Sequence, residues 1–294
     1  MPSPDGGHGP DIEIRKAGFR AAFRPMAGGR MTRLYHADFG ELLVPMADQD
    51  FAPFDWPKAG AYPLFPFHNR VKDGRLRFEG RDYRIAPHPA LVPDAMHGPA
   101  QRRPWSVKRH AEDAVSLALD YQADKDWPFD FRAEQEFSIE PNRLLVTLRL
   151  TNNGRSPMSG GLGWHPYFRA GLDCLAATDA EIAFPLDSKN LPTTDGVIQR
   201  APGPLPADTG YTIHFTQWQT ARLDVQAGAE MVLLAKNGLP HLAVHRMETY
   251  ICLEPVSHRA GALGLDEAAE HGFIMLAAGE MLEAAFEVIT RSVR

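Results

Sequence analysis

The chain of 294 residues has only two cysteines, Cys174 and Cys252. They occupy no paired metal-ligand spacing, and two thiols cannot build a disulfide framework. No apolar run approaches the roughly 20 residues that a membrane-spanning helix needs. The amino terminus also lacks the basic-then-apolar pattern of a secretory signal. These absences predict a reduced, soluble, cytoplasmic protein without a membrane partner.

The formal net charge of −6 offers no basic surface for nucleic acid, and the chain contains no long basic run. A glycine-rich phosphate loop and a dinucleotide fingerprint are also missing. A cupin-like metal centre would use a His-x-His pair, which is absent; His241 and His245 lie four apart, on a predicted loop and strand. We therefore predict no nucleic-acid partner, no cofactor and no metal.

The sequence does have many short alternating or β-branched segments, of which Arg143–Leu150 and Ala284–Ile289 are typical. Turn signals separate them, and 25 prolines and 25 glycines are spread along the chain. This pattern predicts an all-β fold, a large two-layer antiparallel β-sandwich. We expect residues 11–294 to form a single domain that follows a disordered, Pro/Gly-rich terminus at residues 1–10.

Three local predictions follow from the same patterns. The stretch His110–Leu119 fits a helix or a strand period, and we favour a strand because strands flank it. Asp73-Gly74 predicts the turn of a hairpin between Val71–Lys72 and Leu76–Phe78. Leu265–His271 predicts a short helix that Gly272 caps.

Five segments place hydrogen-bonding side chains in stretches otherwise suited to packing. The strongest is Gly160–Phe168, where three glycines precede Trp164, His165 and Tyr167. Aromatic side chains that combine an apolar face with a polar atom pack well on sugar rings. This segment therefore predicts a ligand rim around His165. The alternative is a buried aromatic cluster at the end of a strand.

A second segment is Ile251–Pro255, an apolar and strand-like run that contains Glu254. A buried carboxylate is costly unless it is paired or protonated. Burial also raises the pKa of such a group toward the working pH of a general base. Glu254 is therefore a candidate base, and the alternative is a solvent-facing glutamate at a strand end.

The remaining segments contain candidate ligand-binding side chains. Asn69 and Arg70 end an apolar run, and the planar guanidinium suits sugar hydroxyls or a carboxylate; the alternative is a salt-bridged strand end. His97 precedes Gly98, which leaves room for a ligand near the backbone, although a lone histidine is more often structural. Asp208 lies in a turn, where an aspartate is usually only a turn residue.

In their order along the chain, these segments resemble the aldose 1-epimerase family. The resemblance rests on Phe67–Val71 with Asp73-Gly74, on His97-Gly98 followed by Trp105, on Gly163–Phe168, and on Glu254-Pro255. It runs from about residue 30 to the end of the chain. The resemblance implies the large β-sandwich of galactose mutarotase, with the sugar in an open groove.

By that resemblance, the chain is a cofactor-independent isomerase that interconverts the α and β anomers of a free hexose. Glu254 is then the general base at the anomeric hydroxyl, and His165 is the general acid at the ring oxygen. Asn69, Arg70 and His97 bind sugar hydroxyls. Asp208 is the family's sugar-binding acid, although its local motif matches poorly.

Two alternatives stay open at this point. The first is a hexose-6-phosphate 1-epimerase. Those relatives have an Arg three residues after the His-Gly pair, where this chain has Gln101; the neighbouring Arg102 and Arg103 could still reach a phosphate. A non-catalytic carbohydrate-binding or sensing protein would keep the aromatic rim, Arg70 and His97. Such a protein has no need of both an acid and a base.

Overall fold

A computed structural model describes residues 9–188, 191–193, 197–226, 228–264 and 272–293. Within these ranges, the first half of the chain forms strands β1 (Ile12–Lys16), β2 (Phe19–Arg24), β3 (Arg30–His36), β4 (Gly40–Glu41), β5 (Ala61–Leu64), β6 (Arg70–Val71), β7 (Arg75–Phe78), β8 (Arg81–Arg84), β9 (Ala95–Met96), β10 (Ser106–His110), β11 (Ala114–Tyr121), β12 (Phe131–Glu140) and β13 (Arg143–Asn152).

The second half forms strands β14 (Met158–Gly160), β15 (Gly163–Pro166), β16 (Phe168–Arg169), β17 (Ala176–Thr178), β18 (Ile182–Phe184), β19 (Ile198–Gln199), β20 (Gly203–Pro204), β21 (Tyr211–Thr216), β22 (Thr220–Gln226), β23 (Ala229–Asn237), β24 (His241–Arg246), β25 (Tyr250–Val256), β26 (Ile274–Leu276) and β27 (Met281–Ser292). Helical structure in the described ranges is restricted to single 3₁₀ turns at Pro25–Ala27, Lys72–Gly74, Pro89–Leu91, Ala100–Arg102 and Ala262–Gly264.

Two large antiparallel sheets contain most of these strands. The first has twelve strands, with the central order β1-β2-β3-β5-β15-β25-β24-β21-β18-β19, and β4 and β16 pair at its side. The second has nine strands, in the order β10-β11-β12-β13-β27-β23-β22-β17-β20. The prediction of an all-β antiparallel sandwich is confirmed.

The core lies between the two large sheets. Along β12 and β13 every second side chain is buried, as expected for strands with one face on a core. Phe23 of the first sheet packs 4.7 Å from Phe137 of the second, measured between ring centroids. Trp164 and Phe286 make a similar contact at 5.2 Å. These contacts join the layers and leave the opposite face of the first sheet for other groups.

The predicted strand over His110–Leu119 is confirmed as the end of β10 and the start of β11. The predicted hairpin around Asp73-Gly74 is wrong, because β6 pairs with β9 and β7 pairs with β8 instead. Asp73 lies in a 3₁₀ turn, where its backbone N–H donates to the buried carboxylate of Asp94 at 2.9 Å. That long-range contact closes a turn locally similar to a hairpin.

Two further predictions fall on other parts of the chain. The predicted helix over Leu265–His271 lies outside the described residues, as do the first eight residues of the predicted disordered terminus. In the part of the chain that the structure describes, no helix is long and apolar enough to cross a membrane.

Candidate active site

The candidate site lies on the face of the twelve-stranded sheet that points away from the core. On β5 and β15, Tyr62 pairs with His165. The antiparallel register that pairs Gly163 with Val256 brings His165 opposite Glu254 on β25. Cross-strand partners point to the same face of a sheet. Three side chains from three neighbouring strands therefore meet there.

His165 and Glu254 are in direct contact. The Nε2 atom of His165 lies 3.3 Å from Oε1 of Glu254, and each residue is 5% exposed. The register accounts for the contact, because residues opposite each other on adjacent strands bring their side chains within reach. The two groups that the sequence predicts as acid and base are thus neighbours.

Burial perturbs both groups of this pair. It raises the pKa of the Glu254 carboxyl to about 8. Burial also lowers the pKa of His165 well below its usual value, and the nearby rings of His97 and His245 lower it further. Because each environment disfavours charge, the pair holds one proton near neutral pH, and that proton favours the carboxyl in the free protein.

Two tyrosines form the walls around His165. The rings of Tyr62 and Tyr167 stack on the imidazole, with centroid distances of 4.6 and 4.9 Å. Tyr62 is held in turn by Trp56, whose indole N–H donates to the phenol oxygen at 2.9 Å. The buried guanidinium of Arg30 lies 4.6 Å from the Tyr62 ring centroid. This packing fixes the orientation of the imidazole.

His97 meets His165 edge-on, with ring centroids 5.2 Å apart. Its Nδ1 accepts a hydrogen bond from the backbone N–H of Asn69 at 3.1 Å, and burial lowers its pKa to about 3. The neutral ring therefore has its proton on Nε2, a donor for a ligand. The next residue must be glycine, because a Cβ on Gly98 would lie 2.1 Å from the carbonyl oxygen of Phe65.

Arg70 stands one residue beyond Asn69, whose side-chain oxygen accepts from the Arg70 backbone N–H at 2.8 Å. The Nη1 atom of Arg70 lies 3.4 Å from Oδ2 of Asp94, a carboxylate that is only 3% exposed. The guanidinium is thus held from one side while about a quarter of the side chain stays exposed. Asn69 and His97 both have positive φ, so their loops meet at a tight backbone junction.

Asp208 lies apart from this group. It is exposed, in the loop before β21. Burial raises the pKa of the Tyr211 phenol, the Arg246 charge lowers it, and the Asp208 charge adds a smaller upward effect. Among the described residues, no hydrogen bond or ion pair links Asp208 to His165 or Glu254. The structure therefore supplies no contact for the sugar-binding role that the resemblance implies.

Several neighbours of the pair are not apparent from local sequence. His245 on β24 faces Cys252 in the register, and its Nδ1 lies 3.0 Å from Oγ1 of Thr212. The ammonium of Lys58 lies 3.9 Å from the Trp56 ring centroid, in the loop before β5. The period of two along Tyr250–Val256 does predict that Cys252 shares the face of Glu254. No comparable signal exists for Lys58 or Thr212.

Among the described residues, one group of three side chains places metal-ligand atoms close together. These are a nitrogen of His165, the thiol of Cys252 and an oxygen of Glu254, all within 4.8 Å of one another and all buried. A cavity of about 760 Å³ lies elsewhere, beside Arg169, Asp173 and Asp224. Its lining includes carboxylates but no histidine, so the acid-base pair at His165 is the better candidate site.

Comparison with known proteins gives a consistent result. A sequence profile described as aldose 1-epimerase matches residues 10–288. The uncharacterized protein YphB of Escherichia coli K12 is 33% identical over 110 residues, which is 37% of each chain. The chain thus aligns with well under half the length of this curated relative.

Solved structures match over almost the full length. A putative aldose 1-epimerase from Escherichia coli K12 superposes with a TM-score of 0.84 at 22% identity, covering 97% of this chain and 99% of that one. A galactose mutarotase-like protein from Clostridium acetobutylicum gives a TM-score of 0.83 at 18% identity, with coverage of 96% and 95%. At these identities the two structures establish the shared fold.

Proposed function

The chain belongs to the aldose 1-epimerase family, and we propose that it interconverts the α and β anomers of a free hexose. In this proposal Glu254 is the general base and His165 is the general acid. The observation that carries the proposal is the 3.3 Å contact between these two side chains on one face of the sheet.

The contact distance suits the chemistry of an anomeric centre. Ring opening needs a proton removed from the anomeric hydroxyl and another delivered to the ring oxygen. Both oxygens are bonded to the same carbon, C1, so a base and an acid that touch each other can reach both. General acid-base catalysis by two such positioned groups contributes about 10²–10⁴-fold each.

The reaction then proceeds in three steps. Glu254 takes the proton of the C1 hydroxyl while His165 protonates the ring oxygen, and the bond between C1 and that oxygen breaks. The open aldehyde rotates about its bond to C2. The ring oxygen returns its proton to His165 and attacks the other face of the carbonyl, while Glu254 protonates the new hydroxyl. The pair ends with the single proton it had at the start.

In the free protein, the proton shared by Glu254 and His165 lies mainly on the carboxyl. Burial raises the Glu254 pKa and lowers the His165 pKa, so the shared proton favours the carboxyl, whereas the proposed first step needs it on the imidazole. Sugar hydroxyls that donate to the carboxylate stabilise its charged form and lower its pKa. Substrate binding therefore shifts the proton toward His165.

The surrounding side chains would orient the sugar. Neutral His97 offers an Nε2–H donor, because its Nδ1 already accepts from the Asn69 backbone. Arg70 offers guanidinium donors on the side not taken by Asp94. Tyr62 and Tyr167 are buried and stack on the imidazole, so they would keep the His165 ring in place beside the bound sugar. Together these contacts would hold C1 against the acid-base pair.

The arginines near the site favour a free sugar over a sugar phosphate. Gln101 turns its side-chain oxygen toward Arg30, at 3.1 Å. Arg102 lies 3.5 Å from Asp126 and donates to a backbone carbonyl, while Arg103 contacts the same carboxylate at 2.7 Å. Because these guanidinium groups already have partners, a phosphate would have to displace an existing ion pair.

The direct test is optical rotation. Freshly dissolved α-D-glucose and α-D-galactose should relax to equilibrium faster with the protein than without it, in buffer containing EDTA. Glu254→Gln should abolish the acceleration, and His165→Asn should reduce it by orders of magnitude with the fold retained. Glu287→Gln is the matched control, since Glu287 is equally buried but lies on β27 of the other sheet.

The alternatives predict other outcomes. A non-catalytic binding protein would show sugar binding by calorimetry with no change in the rate of rotation. A hexose-6-phosphate 1-epimerase would accelerate only the phosphorylated sugar. Unfolding of His165→Asn would indicate that His165 serves packing within the aromatic cluster and would remove the support for its catalytic role.

A further inference from the structure

We propose that the His165–Glu254 pair and the thiol of Cys252 form an inhibitory site for a thiophilic divalent cation, of which Zn²⁺ is the representative. The inference builds on the site of the proposed epimerase, but the binding of a metal there can be measured without any activity. It rests on the placement of three ligand side chains, described next.

All three side chains share one face of the twelve-stranded sheet. Cys252 and Glu254 are two residues apart on β25, so both point to the same side of the strand. His165 stands opposite Glu254 on the neighbouring strand. Their ligand atoms lie within 4.8 Å of one another, and all three residues are buried. Three strand positions therefore converge on one point.

The distance between the His165 nitrogen and the Glu254 oxygen matches tetrahedral coordination. Two nitrogen or oxygen ligands at about 2.0–2.1 Å from Zn²⁺ lie about 3.3 Å apart at the tetrahedral angle. His165 Nε2 and Glu254 Oε1 are separated by 3.3 Å. A thiolate at about 2.3 Å from the ion would lie roughly 3.5 Å from either atom. The sulfur of Cys252 lies within 4.8 Å of both atoms, so it would have to approach each of them by at most about 1.3 Å to meet this requirement.

Ligand type and charge agree with the geometry. Imidazole, thiolate and carboxylate together select Zn²⁺ or a similar soft cation over Mg²⁺ and Ca²⁺. One thiolate and one carboxylate balance the charge of a divalent ion, so the filled cluster is neutral and tolerates burial. Two nearby positive charges oppose a cation. Lys58 belongs to an exposed side chain and can turn away, whereas the buried guanidinium of Arg30 is fixed over the Tyr62 ring.

Such an ion would block catalysis because it takes both reacting groups. Glu254 bound to metal cannot remove a proton from a hydroxyl, and His165 bound through Nε2 cannot deliver one. A sugar and the ion compete for the same atoms, so inhibition should be competitive with the hexose. Three protein ligands leave one tetrahedral position, which a water molecule can take.

The experiment uses the two cysteines as a matched pair. Co²⁺ is titrated into the EDTA-treated, dialysed full chain while thiolate-to-cobalt charge-transfer absorbance is followed, and Zn²⁺ is then added to displace it. We expect a 1:1 band in the wild type and in Cys174→Ser, because Cys174 lies outside the site. The band should be absent from Cys252→Ser and Cys252→Ala.

The activity arm uses the same proteins. Zn²⁺ should inhibit wild type and Cys174→Ser, EDTA should restore the rate, and a higher hexose concentration should weaken the inhibition. In folded Cys252→Ser, half-inhibition should need at least about 100-fold more Zn²⁺, because a lost ligand costs more than a lost outer contact. Circular dichroism confirms the fold of each variant.

The possible outcomes separate the two proposals. A wild-type protein that shows no thiolate band overturns the metal site, whatever its activity. Inhibition that persists unchanged in both Cys252 variants overturns it as well. If those variants fail to fold, the comparison of wild type with Cys174→Ser still decides, since loss of the band in Cys174→Ser would assign it to the other thiol. A thiolate band without mutarotation supports the metal site and refutes the epimerase.

Discussion

The protonation state of the His165–Glu254 pair gives a prediction about the pH dependence of kcat/KM for the metal-free protein. Burial raises the Glu254 pKa to about 8 and keeps the His165 pKa far below that value. Between these limits the pair holds one proton, which the proposed mechanism needs. Above pH 8 that proton is lost, and the imidazole has none to give to the ring oxygen. The rate should therefore fall.

The magnitude follows from the pKa of about 8. The fraction of pairs that retain the proton is about 0.9 at pH 7, about 0.5 at pH 8 and about 0.1 at pH 9. We therefore expect kcat/KM to fall about tenfold between pH 7 and pH 9. This parameter is the appropriate one, because kcat/KM reports the ionisation of the free enzyme.

The assay is polarimetry of α-D-galactose in EDTA, with the spontaneous rate subtracted at each pH, because hydroxide accelerates the uncatalysed reaction. Glu287→Gln serves as the control and should show the wild-type profile. Circular dichroism at pH 9 excludes unfolding as the cause of a lower rate. A kcat/KM that rises through pH 8 would refute the reasoning, since it would mean that the carboxylate alone limits the rate.

Three further predictions concern stability and positioning. Glu254 has a folded-state pKa above its unfolded value, so its contribution to stability is present below about pH 4.5 and is lost as the pH rises toward 8. The Glu254→Gln variant lacks this loss. Between pH 5.5 and 7.5 its unfolding free energy, measured by denaturant titration, should therefore gain about 2 kcal/mol relative to the wild type. Asp94→Asn should raise KM with little change in kcat, because the neutral amide holds Arg70 less firmly; an unchanged KM would exclude a binding role for that guanidinium. Gly98→Ala should lower both thermal stability and activity, because the new Cβ would lie 2.1 Å from a backbone carbonyl oxygen. The control is Gly80→Ala, which has a similar φ but open space around it and should cost only about 1 kcal/mol of stability. Equal losses in the two variants would contradict the steric argument.

The fold class could be predicted because it depends on patterns that are local in sequence. Alternating segments such as Arg143–Leu150 carry the period of two that a half-buried strand requires, and the structure has a strand there. The predicted hairpin at Asp73-Gly74 failed for the opposite reason. Its backbone is held by Asp94, about twenty residues away in the chain, and no local turn signal reports such a contact.

In the candidate site, too, only the features that depend on local sequence could be predicted. The burial of Glu254 could be inferred from the apolar residues around it on one strand. Its contact with His165 depends on the pairing of β15 with β25, which are separated by about ninety residues. Tyr62 joins the pair only through the pairing of β5 with β15, so nothing in its own segment marks it. Asp208 is a predicted site residue only through the family resemblance, and its own turn motif carries no information about its distance from His165.

The register between β15 and β25 links the chemistry of the protein to its packing. His165 faces the site while Trp164, its neighbour, is fully buried in the core. Glu254 likewise faces the site while Leu253 packs into the core. A slip of one residue in either strand would reverse every side chain of that strand and bury His165 or Glu254 in the apolar layer. The hydrophobic residues that select the native register therefore also select the 3.3 Å contact between His165 and Glu254.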